Sequence, residues 1–331
     1  MKILFQNRPK HIFQAGDYYQ LEQTAKALRS KGIEVEINDQ PIYTPAIQYR
    51  NFDIVHTFNF SMPWTPYQVG LATMYRKPVV CSVLYHDKDN YVSWDVQREL
   101  EKQINALIFL NEGEKQRFKA KLELTEEKSH IIENGVNEMW FKKVRVKKDQ
   151  RPYVLTVGRV EDLKGQLAVA KACKKIGIKY VMAGQELDKN YLKACEDEGA
   201  VHVGIVEGDD LLELYAGCTC FVLNSKSDIQ PLSIMEAGAQ AKPVITTKSC
   251  LYQPVGVSVV DVDNVAQLVR EIKKTIGMKP NTELRDYLKT KTWEAVADQL
   301  IGIYTDLINN SEPAFVWNTL KEKNENSSAI N

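Results

Sequence analysis

Residues 227–236 read SDIQPLSIME and lie between two apolar runs, CFVLNS ending at Ser225 and KPVITT starting at Lys242. An apolar run, a loop, an amphipathic stretch and a second apolar run make one strand–helix–strand unit of a parallel sheet. Within it, Asp228 comes just before a helix predicted to start near Pro231, and Glu236 falls inside the first turns of that helix. The free N–H groups and dipole of a helix start point at an anion. Two carboxylates beside a bound diphosphate would repel it unless they bond to something else. Sugar hydroxyls suit them, because one carboxylate accepts from two vicinal hydroxyls at once. A plainer role is also open. Ser233-x-x-Glu236 fits a capping box, in which Glu236 satisfies a backbone N–H. The two roles can coexist.

Outward from this unit the same alternation fills the chain in two series. The first holds KILF, the helical stretch DYYQLEQTAKALRSKG, then IEVEI, FDIVHTF, KPVVCSVLY, INALIFL and SHIIENGV as successive strand candidates. The second runs from YVLTVG through GQLAVAKACKKIG, KYVMAG, NYLKACEDEG, VHVG, DDLLELYAG and the opening unit to VSVVDV, and Asp263 is a candidate cap for NVAQLVREIKKTIG. Length agrees, since 331 residues suit two domains of roughly 150 each. The expected divisions are a first domain over 1–141, a charged connection over 142–152, a second domain over 153–290, a closing amphipathic helix over 291–310 and a polar tail over 311–331. Two doubly wound domains present the carboxyl ends of their strands as binding edges, so a ligand belongs in a cleft between them.

Composition narrows the partner only by exclusion. Lysines and arginines number 43 and so do aspartates and glutamates, which gives no argument for nucleic acid and leaves any anion to local groups. The six cysteines show no CxxC pair and read as reduced, buried thiols of a cytoplasmic protein. The start, MKILFQNRPK, loses its apolar run too early for a signal peptide, and no uninterrupted apolar stretch is long enough to span a bilayer. The basic residues Lys142, Lys143, Arg145, Lys147 and Lys148 suit either a solvated connection or peripheral contact with an anionic inner membrane surface. His11, His130 and His202 show no metal spacing, and His56 ends a strand candidate on the binding edge, as His86 does.

After the first strand of the second series comes VGRVEDLKGQ, where Gly158 permits a tight turn and Arg159 and Lys164 follow on a loop into a helix. Arg as a planar fork and Lys as a point charge would hold a diphosphate there, or both are surface charges in water. With the opening stretch, these residues carry a resemblance. The second half resembles the retaining glycosyltransferases of the GT-B fold, specifically the large family 4 group. DIQPLSIMEA aligns without gaps with that family's motif of an acid, seven residues and Glu, often filled as EGFPLSLLEA. VGRVEDLKG is similar to its GRL…KG loop, and KPVITT to its following strand. More loosely, FQAGDYYQLEQTAKAL resembles the family's first glycine loop and helix, VVCSVLYHD its strand ending in His, and IIENGVNEMWF its I-x-NGV turn. TWEAVADQLIGIY resembles the closing helix, so the likeness covers nearly the whole chain.

The resemblance implies an α/β architecture, the GT-B fold, with two Rossmann-like doubly wound parallel-sheet domains facing across a cleft. It implies that Glu236 binds the donor ribose, that Arg159 and Lys164 hold the diphosphate, and that Pro231, Leu232 and Ser233 face it with their backbone. Asp228 would contact the donor sugar. Gly16 and Asp17 would lie across the cleft beside phosphate and acceptor, with His86 near the reacting carbon. Two departures stand out. Asp228 replaces the usual Glu and reaches a methylene less far, while Ile229 and Gln230 replace a glycine and an aromatic; in the first loop Ala15-Gly16 replaces paired glycines. The expected activity is retaining transfer of a sugar from a nucleotide diphosphate sugar, UDP-linked, to a glycan or lipid-linked acceptor, with neither cofactor nor metal. A nucleotide-sugar epimerase or hydrolase of similar fold, and a nucleotide-binding protein without turnover, are the alternatives.

Overall fold

The computed structural model describes residues 1–7, 16–38, 46–85, 91–145 and 151–310. In the first half the order is β1 (Lys2–Gln6), α1 (Gly16–Ser30), β2 (Glu34–Asn38), β3 (Ile54–Phe58), α2 (Thr65–Met74), β4 (Val79–Ser82), α3 (Trp94–Gln103), β5 (Ala106–Phe109), α4 (Glu112–Lys119) and β6 (Ser129–Ile131). These strands form one sheet in the order β2-β1-β3-β4-β5-β6, and every pairing is parallel. The second half continues with β7 (Tyr153–Val157), α5 (Gln166–Ile176), β8 (Lys179–Ala183), α6 (Lys189–Asp197), β9 (Ala200–His202), α7 (Gly208–Gly217), β10 (Cys220–Leu223), α8 (Leu232–Ala239), β11 (Val244–Thr247), β12 (Val257–Val260), α9 (Val265–Thr275), α10 (Thr282–Lys289) and α11 (Trp293–Asn310). Its sheet, again parallel throughout, runs β12-β11-β10-β7-β8-β9.

The inner strands β3, β4, β5, β10 and β11 are buried at every residue, as parallel strands covered by helices on both faces must be. That is why they read as continuous apolar runs. Strand order reverses between β1 and β3 in the first sheet and between β7 and β10 in the second. Loops leaving a reversal point part to opposite faces and open a crevice, which makes these two places the binding positions of the fold.

The last helix, α11, returns to the first half. Trp293, Val296, Ala297, Leu300 and Tyr304 are buried against Phe5, Leu21, Leu28 and Phe58. The return is close at Gly135, where a Cβ would lie 2.4 Å from the Trp293 nitrogen, and Val136 N–H donates to the Lys291 carbonyl at 2.8 Å. Val136 and Trp140 already pack into the core of the second half. Residues 146–150 of the charged connection lie outside the described residues.

His56 is not a cleft residue. It sits in the middle of β3, 1% exposed, stacked 4.7 Å from the Phe58 ring. Its Nδ1 shares a 2.6 Å hydrogen bond with the Tyr304 hydroxyl and its Nε2 a 3.0 Å bond with Ser82 Oγ. Burial lowers its pKa to about 3, so the ring is neutral and fastens α11 to the first sheet. Tyr304→Phe leaves one buried ring nitrogen without its partner and is expected to cost about 1 kcal/mol, read as a lower urea midpoint at unchanged slope. The cap of α9 also differs from expectation. Asn264 accepts from Gln267 N–H, while Asp263 sits at φ 56 and accepts from Asn224 Nδ2 at 2.8 Å.

Candidate active site

In the second half, β7 is followed by Gly158, whose N–H donates to the Ala183 carbonyl at 2.9 Å. The approach requires glycine at the end of β8, because a Cβ on Gly184 would meet the Gly158 oxygen at 2.1 Å. Arg159 follows, about a third exposed, with Nη2 2.9 Å from Glu161 Oε1. A single 3₁₀ turn, Asp162–Lys164, then leads to Gly165 at φ 65, which starts α5. This turn lies against the loop after β10. Lys226 N–H donates to the Leu163 carbonyl at 2.8 Å, and Asn224 Nδ2 to the Gly165 carbonyl at 3.1 Å. Lys164 thereby reaches across the reversal point. Its Nζ donates to both carboxylate oxygens of Asp228, each at 2.9 Å, with the two side chains 12% and 13% exposed. Two of the expected site residues are thus partners of each other.

Helix α8 begins at Leu232 with Pro231 as its cap residue, and no side-chain cap bond is made there. Ser233 therefore lies inside the first turn, out of register for a capping box. Glu236 has a different partner. The Tyr215 hydroxyl donates to its Oε2 at 2.7 Å, and the other carboxyl oxygen has no hydrogen-bond partner among the described residues. Glu236 keeps a small opening to solvent, but the protein around its carboxyl raises the pKa to about 7, only partly opposed by the Tyr215 bond. Pro231, Leu232 and Ser233 are all partly exposed, and the Leu232 side chain packs against the cores of both halves.

Across the cleft, Gly16 and Asp17 open α1. Asn59, in the left-handed conformation at φ 69 after β3, donates from Nδ2 to Asp17 Oδ2 at 2.8 Å and more weakly to Asn7 Oδ1 at 3.3 Å. This contact spans the reversal point of the first sheet as Lys164–Asp228 spans that of the second. Tyr19, two residues along, accepts from Asn137 Nδ2; burial, and then the Glu236 charge, push its phenol up to about 12. His86 lies outside the described residues.

The two halves are also stitched beside the site. Asn111 Nδ2 donates to the Ile229 carbonyl at 2.9 Å, and Asn134 N–H donates to Gln230 Oε1 at 2.8 Å. Glu133 accepts from the Tyr287 hydroxyl at 2.9 Å and from Lys291 Nζ at 2.8 Å. Ile229 and Gln230, the departures from the family pattern, are thus a buried apolar side chain and a polar bridge between halves. Tyr215, Asn59 and Gln230 were not singled out as site residues from sequence. An Asn at a strand end, where φ is often positive, is the one signal that points to Asn59.

Two parallel six-stranded domains flanked by helices make up the GT-B fold. The family comparison gives the same class: residues 138–292 match the model of glycosyl transferases group 1, and residues 41–139 that of glycosyltransferase family 4. The chain belongs to the group 1 glycosyltransferases. An uncharacterized glycosyltransferase of Methanocaldococcus jannaschii is 23% identical over 298 residues, 76% of this chain and 75% of that protein. A GDP-mannose-dependent alpha-mannosyltransferase of Corynebacterium glutamicum is 26% identical over 168 residues, 47% of this chain and 40% of that protein. Anabaena HepE, solved in complex with UDP, superposes with a TM-score of 0.76 at 16% identity, over 92% of this chain and 100% of its own. All six cysteines are free and buried, and no described helix is long and apolar enough to cross a membrane.

Proposed function

We propose that the protein is a retaining, metal-independent glycosyltransferase that moves a sugar from a UDP-sugar to a glycan or lipid-linked acceptor. The observation that carries this reading is the convergence, at one reversal point, of Arg159, Lys164, the start of α8 and the half-buried Glu236 carboxyl. Departure of the nucleotide diphosphate is the hard step of such a transfer. Arg159, Lys164 and the first N–H groups of α8 would stabilise the charge growing on the leaving phosphate, a transition-state effect. Glu236, steadied by Tyr215, would accept from the ribose hydroxyls. Gly16 and Asp17 would serve the phosphate and acceptor side, with His86 beside the reacting carbon. The acceptor hydroxyl would attack from the face the phosphate leaves. HepE with UDP supports the choice of a uridine nucleotide, while the mannosyltransferase makes GDP the competing choice.

The test is a panel of UDP- and GDP-sugars, each with and without acceptor glycans. Transfer from one donor, with the product anomer the same as in the donor by NMR, is the expected result. Epimerised or hydrolysed donor without transfer would replace this reading with an epimerase or hydrolase. Nucleotide binding with no turnover on any donor would leave a binding protein.

A further inference from the structure

The resemblance gives the position of Asp228 to the donor sugar, yet here its carboxylate already has a partner in Lys164. We propose that Asp228 is a positioning residue that acts through Lys164: it fixes the ammonium group, leaves its remaining N–H donors for the diphosphate, and balances the lysine charge so that the spent nucleotide is released. The proposal rests on the reading of this crevice as a nucleotide-sugar site.

Both ends of the pair are held by backbone, so it is not a chance encounter of two flexible side chains. The lysine turn is closed by Lys164 N–H to the Glu161 carbonyl at 3.0 Å and Gly165 N–H to the Asp162 carbonyl at 3.1 Å. On the other side the Asp228 carbonyl accepts from Leu251 N–H at 2.8 Å, as part of a parallel bridge to Cys250. The next two residues are tied as well, Ile229 to Asn111 and Gln230 to Asn134. A lysine ammonium offers three donors and no acceptor. With both Asp228 oxygens at the same 2.9 Å from Nζ, the carboxylate occupies one side of the ammonium group and leaves donors on the other. Screening by water is weak for a pair this far buried, unlike that of an exposed pair.

Charge balance extends to the second cation, since Arg159 pairs with Glu161 at 2.9 Å. Each cation assigned to the diphosphate thus carries its own acid. An unopposed pair of cations would hold donor and released nucleotide equally hard, and such uniform binding slows turnover. A fixed lysine N–H instead gains most when charge builds on the bridging oxygen. The carboxylate that fixes it cannot be replaced by a neutral group without freeing the lysine charge.

The experiment is calorimetric titration of UDP, and of GDP in parallel, into the wild type, Asp228→Asn, Lys164→Met and the double variant. Asp228→Asn is expected to bind the nucleotide about tenfold tighter, in the range for one extra charge-assisted hydrogen bond. Its kcat and donor KM should both fall, with the preference between epimeric donors unchanged. In the Lys164→Met background the same change should alter affinity by less than about twofold, because the route through lysine is gone. Unchanged nucleotide affinity in Asp228→Asn, with altered epimer preference, would overturn the proposal and return Asp228 to the sugar. A tenfold gain that persists without Lys164 would overturn it too, as direct repulsion of phosphate by Asp228. If the wild type binds neither nucleotide, the reading of the whole crevice falls and this proposal with it. Asp228→Ser repeats the cycle if Asp228→Asn does not fold.

Discussion

Gly165→Ala is expected to destabilise the protein by about 3 kcal/mol, the sum of a left-handed alanine and a forced backbone shift. Gly165 has φ 65, and a Cβ there would stand 2.2 Å from the Asn224 carbonyl oxygen and 2.6 Å from its Nδ2. The oxygen is backbone at the end of β10 and cannot swing aside. Relief requires the turn to move off the strand end, which breaks the Lys226 N–H bond to Leu163 and carries Lys164 away from Asp228. Lower thermal stability should therefore come with weaker nucleotide binding in the fraction that still folds. Gly177 is the control. It too is left-handed, at φ 69, but a Cβ there meets nothing within 4 Å, so Gly177→Ala should cost only the conformational part, about 1 kcal/mol. Equal losses at the two glycines in parallel urea titrations would show that packing at the crevice contributes nothing.

Glu236→Gln separates ribose binding from structure. Glutamine keeps an acceptor for the Tyr215 hydroxyl, but loses the charge that strengthens bonds from sugar hydroxyls. Nucleotide affinity should fall about 10- to 100-fold at pH 8, in the range for hydrogen bonds to a charged group. The pH dependence is the sharper signature. Burial raises this carboxyl from 4.5 to about 7, so the folded protein holds the proton more tightly than the unfolded chain. Its contribution to stability therefore falls as pH rises from about 4.5 through 7. Nucleotide binding runs the other way, because the ionised form is the better acceptor: affinity should increase from about pH 6 to about pH 8 in the wild type and be flat in Glu236→Gln. A slope that survives in the glutamine variant would assign the titration to another group, such as the nucleotide phosphate.

Much of this architecture is legible in the chain itself. Alternating apolar and amphipathic stretches give parallel sheets because strands buried on both faces must be apolar throughout, and each crossover needs a helix long enough to span back. Pro231 marks the start of α8, and the glycines at 165 and 177 bound α5, because proline and left-handed glycine act through local geometry alone. The chemical types needed for an anion and a sugar were visible too, as Arg159, Lys164 and Glu236. Register with distant groups was not. Ser233-x-x-Glu236 satisfies the capping pattern in sequence, yet the helix begins two residues earlier than that pattern needs, and Tyr215 from α7 takes the carboxylate. His56 reads as a strand-end histidine only until α11 lays Tyr304 against it.

What the sequence determined by itself is therefore the two series of strands, most helices of the second half, and the candidate groups on the loops; the short helices α2, α3, α4 and α10 came only with the structure. Tertiary structure alone decided which loops meet. Lys164 and Asp228 are 64 residues apart, Asp17 and Asn59 42, Asn134 and Gln230 96. Each of the first two pairs joins loops on either side of a place where strand order reverses. Strand order depends on how whole βα units pack on both faces of a sheet, and no local pattern of apolar residues encodes it. The pairing that neutralises the lysine, and the tyrosine that steadies the ribose acid, exist only once that packing has brought the strand ends together.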